Sequence, residues 1–352
     1  MTIEPIKQES VYWVDFIRVV SIFFVVMIHV IEKIINNWNS YPVQLQMIAN
    51  MYDSIVRMSV ALFFMVSGWL LLPKSENIRT FFIKRFSKVL FPFIIWSIIY
   101  LFWNCGIRLG ACDSLWISRL FFVHGTSHHF WFMYPLLGIY ILVPVLRLLI
   151  QPDKKHILWY FIGLWIIFQP IMSIATEFWD FKTNFILPMA TGAIGFFILG
   201  YLLGELVISY RLFVMAMIGW ILSTIFIAVA TQMLSKYLGS FSYFFYDYLS
   251  LTGVINAATG FIMLRWLSEA RPISTGIVSL YIQKIAKASF GIYLIHIIVL
   301  EVLDRRNPWI SINIDIGNPI WSIPFVTILV FLICFFIVNA MQKTKILKKI
   351  IP

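Results

Sequence analysis

The stretch that most constrains the fold is an apolar run from residue 14 to residue 35 that contains Asp15, Arg18 and His29. The run is long enough for one helix to cross the hydrocarbon core of a membrane, which is about 30 Å thick. Ionisable side chains inside such a helix are costly, and they usually serve a function. The segment therefore predicts a membrane helix that carries part of a functional site.

Helical spacing places the polar residues of this segment on one face. Arg18 and His29 are eleven residues apart, which corresponds to about three turns and about 16 Å of rise. Asp15 lies one turn before Arg18 and can pair with it, and Glu32 lies one turn after His29 and can orient its ring. The alternative is structural: Asp15 and Arg18 would mark the cytoplasmic end of the helix, and His29 would pack in the bundle with a satisfied hydrogen bond.

The composition indicates the class of protein to which this helix belongs. Hydrophobic residues make up 61% of the 352 residues and charged residues only 12%, about half the charged fraction of a soluble domain. The sequence therefore predicts an all-α fold, a polytopic integral membrane helical bundle. The net charge of +11 is spread over short loops, which argues against nucleic acid as a partner.

About ten apolar segments are long enough to cross the membrane, and they predict a single membrane domain over residues 1–352. No cleavage site follows the first segment, which we interpret as a retained helix rather than a signal peptide. The weakest segment is the eighth, which Asn256, Thr259 and Gly260 make less apolar. The segments lie at roughly 14–35, 52–72, 82–104, 129–150, 157–175, 186–206, 212–233, 246–267, 286–303 and 319–341.

The distribution of Lys and Arg over the loops predicts the orientation. With Arg18 set apart, 18 of the 27 basic residues fall on one side of this arrangement and eight on the other. Because basic loops stay in the cytoplasm, both termini are predicted to be cytoplasmic. The basic loop 74–88 would then be cytosolic, and the connection 105–128 would lie outside.

Cysteine and histidine residues cluster in the predicted outer connection. Cys105 and Cys112 either form a disulfide bridge in an oxidising compartment or remain two unpaired small hydrophobic residues. His124, His128 and His129 lie within six residues of one another. Because no cysteine or carboxylate lies near them at ligand spacing, we predict no metal site.

Five motifs resemble, in content and in order, those of the membrane acyltransferase-3 family. In the basic motif Lys88 stands where the family has an arginine, which keeps the charge but loses bidentate phosphate geometry. Together the motifs cover most of the chain. They are V-D-F-I-R with I-H ten residues after its arginine, L-F-F-M-V-S-G from Leu62, K-R-F-S-K-V-L-F-P from Lys84, H-F-W-F from His129 and Y-L-I-H from Tyr293.

The resemblance implies an integral membrane O-acyltransferase. Such an enzyme lies in the bacterial cytoplasmic (inner) membrane. It transfers an acyl group from cytosolic acyl-CoA to a hydroxyl of a cell-envelope polysaccharide or lipid-linked sugar, and we expect the acyl group to be acetyl. The donor, the acceptor glycan and the lipid bilayer would be its partners. The alternative is a transporter or flippase of an envelope glycan or small substrate, for which we find no internal repeat of the usual kind.

The first motif supplies the candidate catalytic residues. Imidazole has the pKa needed to take a proton from a sugar hydroxyl near neutral pH, so His29 is the candidate base. Arg18 would hold the donor or balance Asp15, and Glu32 would orient the His29 ring. Direct transfer and an acyl-histidine intermediate both remain open.

The other motifs supply candidate binding residues, each with a structural alternative. Arg85, assisted by Lys84 and Lys88, would hold the phosphates of acyl-CoA, or the three residues would simply anchor the loop in the cytosol. A further three residues are candidates for binding the acceptor. They are His129, Trp131 and His296. The structural alternative is an aromatic belt at the membrane interface for Trp131 and helix packing for His296.

Overall fold

The computed structural model describes residues 11–105, 125–181, 192–269, 276–305 and 311–352. Within these ranges all regular secondary structure is helical. Nine helical spans of this part of the chain are long and apolar enough to cross a membrane. The predicted fold class, a polytopic helical membrane bundle, is confirmed.

The first three spans are built from five helices and one π-helical turn. A break at Arg57 and Met58 divides the second span, and the π-helical turn joins the two helices of the third. The helices are α1, Tyr12–Asn36; α2, Val43–Val56; α3, Ser59–Leu71; α4, Ile78–Arg85; and α5, Phe91–Cys105; the π-helical turn is Phe86–Leu90.

The remaining described residues form nine more helices. A 3₁₀ segment, His128–Phe132, precedes the first of them. They are α6, Met133–Leu146; α7, Lys155–Ile166; α8, Met172–Trp179; α9, Ile194–Gly204; α10, Tyr210–Leu238; α11, Leu251–Glu269; α12, Ile277–Arg305; α13, Pro319–Gln342; and α14, Leu347–Ile350.

Helix α1 lies at the centre of the bundle. It packs against α2, α3, α11, α12 and α13. Its apolar face is closed off, with Ile17, Ile22 and Ile31 fully buried. The segment that carries the candidate catalytic residues is thus held by five neighbouring helices, which gives it the rigid support that a catalytic side chain needs.

The second span begins earlier than the sequence predicted, at Val43 instead of residue 52. The first half of this span carries polar residues at helical spacing, which lowered its apparent hydrophobicity. The structure buries and satisfies them: Gln46 donates to the carbonyl of Trp38 at 2.9 Å, and Asn50 accepts a hydrogen bond from the hydroxyl of Tyr246 at 2.6 Å.

Helix α9 is a short helix surrounded by protein. All eleven of its residues are buried, and it packs closely against α3. Glycines permit this approach, because a side chain at Gly68 would clash with the backbone of Phe197, and one at Gly200 with the backbone of Met65. The predicted segment 186–206 extends into residues 182–191, which lie outside the described ranges.

The cysteines differ in their chemical state. Cys105, at the end of α5, is part of a disulfide bond. Cys334, in α13, is a buried free thiol. Cys112, for which the sequence leaves open a bridge to Cys105, lies outside the described residues.

Candidate active site

Four histidines from three elements meet beside α1. The ring centroid of His29 lies 5.0 Å from those of His128 and His296 and 6.2 Å from that of His129. The rings of His129 and His296 are also 5.0 Å apart. The sequence nominated three of these residues on separate segments, and the structure brings them together and adds His128.

The hydrogen bond between His29 and Glu32 fixes the tautomer of the imidazole. Glu32 Oε2 lies 2.9 Å from Nδ1 of His29. Because a carboxylate can only accept, Nδ1 donates this bond, and in the neutral ring Nε2 keeps a lone pair. The Nε2 of His128 lies 3.1 Å from the same oxygen. Glu32 thus lies where the helical spacing placed it, between two imidazoles.

Two further imidazoles in the cluster have a nitrogen without a partner. His296 Nδ1 donates to the carbonyl of Tyr293 at 2.7 Å, and His129 Nδ1 lies 2.8 Å from the hydroxyl of Ser127. The Nε2 atoms of His129 and His296 are buried and have no hydrogen-bond partner among the residues that the structure describes. Buried unpartnered nitrogens are rare and are typical of functional sites.

A cavity of about 820 Å³ adjoins the histidine cluster and extends along α1. Both His29 and Arg18 line it, and the helical rise between them is about 16 Å. Arg85 also lines it and lies close enough to Arg18 for electrostatic interaction. We call this space the donor cavity, because the sequence predicts that Arg85 holds the acyl donor. It connects the histidines to a region rich in positive charge.

Besides Arg18 of α1, cations of the basic motif, of α12 and of α14 line the donor cavity. Arg85 and Lys88 come from the end of α4 and from the π-helical turn, as the basic motif predicted. Three lysines that the sequence counted only as loop charges join them. They are Lys287 on α12 and Lys348 and Lys349 on α14. Neighbouring helices bring these lysines to the cavity, and no local motif marks them.

Lys84 has a different environment from Arg85 and Lys88. It does not line the donor cavity, and its Nζ lies 2.7 Å from Glu76. Arg147 binds the other oxygen of Glu76 at 3.2 Å and donates to the carbonyl of Leu71 at the end of α3. Burial opposes ionisation of Glu76, but hydrogen bonds from Lys84 and Arg147 lower the pKa of this carboxyl below its usual value.

Trp131 connects the donor cavity to a second one. It belongs to the same 3₁₀ segment as the two adjacent histidines, and 39% of its surface is exposed. Its ring lies 5.3 Å from that of Tyr248. It lines both the donor cavity and a neighbouring cavity of about 600 Å³.

One group in the described part of the chain has ligand types and spacing suited to a metal ion. The ligand atoms of His29, Glu32 and His128 lie within 4.8 Å of one another, and imidazole and carboxylate are zinc ligands. The sequence had grouped His128 with His124 and His129 instead. Of those, His124 lies outside the described residues.

Comparison with known proteins identifies the family. Neither the curated proteins nor the solved structures gave a match. The sequence profile of the acyltransferase-3 family, described as an acyltransferase domain, matches residues 11–339. This range covers nearly the whole chain and includes the histidine cluster, Arg18 and the basic motif. The chain therefore belongs to the acyltransferase-3 family and is a membrane acyltransferase.

Proposed function

We propose that the protein is an O-acyltransferase of the bacterial cytoplasmic membrane and that its donor is a cytosolic acyl-CoA. The proposed acyl-CoA is acetyl-CoA. The acceptor is a hydroxyl of a cell-envelope polysaccharide or lipid-linked sugar. The observation that supports this most is the donor cavity, which is lined both by cations and by His29.

The cations suit the phosphates of coenzyme A. Phosphates form strong charge-assisted hydrogen bonds with arginine and lysine. Arg85 offers a planar bidentate donor, and Lys88 offers a compact point charge. Arg18 lies close enough to Arg85 for electrostatic interaction, and along α1 it is about 16 Å from His29, a length that a phosphopantetheine arm can span. The donor can therefore bind by its phosphates and present its thioester to the histidines.

His29 has the geometry of a general base. Its Nε2 would take the proton from the acceptor hydroxyl while the hydroxyl oxygen attacks the thioester carbonyl. The carbon–sulfur bond then breaks, and coenzyme A leaves as a thiolate that takes up a proton. Glu32 stabilises the positive imidazole ring that forms during the attack, in the manner of the carboxylate in a catalytic triad.

A two-step route fits the same residues. In this route Nε2 of His29 attacks the thioester first, and coenzyme A leaves before the acceptor reacts. The hydroxyl then attacks the acyl-imidazole, and a neighbouring imidazole, His129 or His296, takes its proton. The two routes differ in whether coenzyme A is released when the acceptor is absent.

The experiment for this proposal combines enzymology and mass spectrometry. The full chain in lipid nanodiscs should release free thiol from acetyl-CoA, and an extract of envelope glycans should increase the rate. Succinyl-CoA offered in parallel reports on the choice of acyl group. Envelope glycans from cells that lack the gene should lose the corresponding ester groups. Unchanged glycans together with no thiol release would contradict the proposal.

A further inference from the structure

The second cavity, of about 600 Å³, has a lining unlike that of the donor cavity. It shares Trp131 with the donor cavity, and this residue lies three positions after His128. Its described lining carries carboxylates, whereas that of the donor cavity carries lysines and no carboxylate side chain. The residues that matter here are Arg57, Trp131, Glu177, Tyr243, Asp247 and Tyr248. We call this space the acceptor cavity.

Aromatic rings form one wall of the acceptor cavity. The rings of Trp131 and Tyr248 lie 5.3 Å apart and are inclined by 35°. The partial exposure of Trp131 leaves ring surface free to make contact. The C–H groups on one face of a pyranose ring pack against such aromatic surfaces, while the hydroxyls at its edge remain free for hydrogen bonds.

The one cation in the described lining of the acceptor cavity already has a carboxylate partner. Arg57 forms an ion pair with Asp53, which is 1% exposed, and its guanidinium lies 4.1 Å from the ring centroid of Tyr246. A buried partner and a stacked ring hold this arginine in place. It can donate hydrogen bonds to a ligand, but its charge is shared with Asp53.

In the described lining, two carboxylates face a single cation, Arg57, which is already paired with Asp53. Glu177 is exposed at the end of α8, and Asp247 accepts a hydrogen bond from the backbone of Leu249 at 2.9 Å, which leaves its other oxygen for a ligand. Carboxylates accept hydrogen bonds from hydroxyls. They also repel phosphate and uronate groups, because like charges at close range are unfavourable.

We propose that the acceptor cavity binds an uncharged pyranose residue of the acceptor, one that carries neither phosphate nor carboxylate. The ring packs on Trp131 and Tyr248, and its hydroxyls bond to Glu177, Asp247 and Arg57. Trp131 lies between this subsite and the histidine cluster. A hydroxyl of the acceptor next to the bound ring therefore reaches His29 past the edge of the indole ring. The inference rests on the proposed function and adds to it the class of sugar and the residues that select it.

The first arm of the test identifies the acylated sugar. The full chain in nanodiscs free of glycoside detergents is given radiolabelled acetyl-CoA and an envelope glycan extract, and the labelled residue is identified by mass spectrometry after hydrolysis under conditions that keep the ester. We expect the label on a neutral hexose or N-acetylhexosamine. Label on a uronic acid or a phosphorylated sugar would overturn the inference.

The second arm locates the binding site. The double variant Glu177→Gln/Asp247→Asn should raise the KM for the extract at least tenfold and leave the KM for acetyl-CoA unchanged. Glu205→Gln, which removes an exposed carboxylate paired with Lys155 elsewhere on the surface, is the matched control and should change neither value. Melting curves test whether each variant is folded. If the double variant does not fold, the single variant Glu177→Gln, at an exposed position, is used in its place.

The outcomes separate the inference from the function on which it rests. If labelled acetyl is transferred but the folded variants keep the parental KM for the extract, the acceptor cavity is not the sugar site, and the proposed function still stands. If the parent protein transfers no acyl group from acetyl-CoA or succinyl-CoA to any glycan, the proposed function fails and the inference fails with it.

Discussion

At the scale of single residues, the direction of one hydrogen bond decides what the histidine cluster can do. His29 donates Nδ1–H to Glu32 at 2.9 Å, so in the neutral ring its other nitrogen can act as a base or a nucleophile. His296 is held in the same tautomer by backbone carbonyls. The site therefore offers lone pairs to a hydroxyl proton, which is what acyl transfer to an alcohol requires.

Replacing His29 by alanine should remove this lone pair and with it most of the activity. We expect the rate of acyl transfer to fall about a hundredfold to ten-thousandfold, and further if His29 becomes acylated. The measurement is transfer by purified His29→Ala beside the parent, together with the melting temperature. His156→Ala, which removes an exposed histidine on α7, is the control. Near-normal transfer by a folded His29→Ala protein would exclude this residue from the mechanism.

Metal ions should act on the cluster as inhibitors and not as cofactors. Dialysis against a chelator is expected to leave the transfer rate unchanged, because the proposed chemistry needs only protein groups. Added Zn²⁺ should inhibit, since binding to Nδ1 of His29 would shift the proton to Nε2 and remove the base. His128→Ala should weaken this inhibition by removing a ligand atom.

Mg²⁺ is the control for this experiment, because it prefers oxygen ligands and should not compete. Each variant is compared with its own rate in the absence of metal. An activity that disappears on chelation and returns with Zn²⁺ would show that the metal takes part in the reaction.

The sequence predicted the residues of this site that depend on local geometry alone. Arg18, His29 and Glu32 lie on one helix, and a period of 3.6 residues is sufficient to place them together. His128 was not nominated as part of this site, because its approach to Glu32 depends on how the 3₁₀ segment packs against α1. The lysines of α12 and α14 depend on tertiary packing in the same way.

At the scale of elements, the cations of the basic motif are of two kinds: those that line the donor cavity and one that forms an ion pair with a neighbouring carboxylate. Its π-helical turn, Phe86–Leu90, adds one residue to a helical turn and so changes the face on which the following side chains lie. Arg85 and Lys88 line the donor cavity, and Lys84 pairs with Glu76 instead. Three cations in five positions are therefore expected to make unequal contributions to donor binding.

Single replacements should reveal this inequality. Arg85→Ala is expected to raise the KM for acetyl-CoA about tenfold or more, because a charged hydrogen bond to phosphate contributes about 1.5–3 kcal/mol. Lys88→Ala should have a smaller effect of the same kind, and Lys84→Ala should change KM least. Arg79→Ala removes an exposed cation of the same helix and is the control. A KM unchanged in Arg85→Ala would leave only the role of a cytosolic anchor.

The contact between Glu76 and Arg147 should make stability depend on pH. The pKa of Glu76 is lowered in the folded protein, so its stabilising effect is complete above the unfolded pKa of about 4.3 and is lost as the pH falls through the lower folded value. Glu76→Gln should therefore lower the melting temperature near neutral pH and converge with the parent at more acidic pH. Glu205→Gln, at an exposed pair, should have little effect at either pH. A constant difference between Glu76→Gln and the parent would contradict the assignment.

The positions of helices were predicted well where the span is made of hydrophobic residues, and poorly where the span contains buried polar residues. The long apolar spans have counterparts in the structure near their predicted positions. Helix α2 differs, because Gln46 and Asn50 are polar in sequence yet find partners inside the bundle. A hydropathy scale assigns such residues to water, because it takes no account of the partners that the fold supplies.

At the scale of the whole molecule, the charge asymmetry predicts which end of the donor cavity faces the cytosol. Ser75 is exposed between α3 and α4, in the basic loop predicted to be cytosolic. A cysteine introduced by Ser75→Cys should resist an impermeant thiol reagent in intact cells and react after the membrane is opened.

The matched position is Ser40, which is exposed between α1 and α2 on the predicted outer side. Ser40→Cys should react in intact cells above the background of the parent, which carries three cysteines of its own. The opposite result, with labelling at Ser75 and protection at Ser40, would reverse the orientation and place the cations of the donor cavity outside.

The short helix α9 also affects the parity of the membrane crossings. A chain that crosses a bilayer an odd number of times has its ends on opposite sides, and one that crosses an even number of times has them on the same side. The described residues supply nine long spans. Helix α9, with eleven residues, rises about 16 Å, roughly half of the hydrocarbon thickness. The charge distribution predicts both ends in the cytoplasm, which requires an even number of crossings, and the segment containing α9 is our candidate for the tenth. Reporter domains fused in turn to the two ends would count the crossings as odd or even.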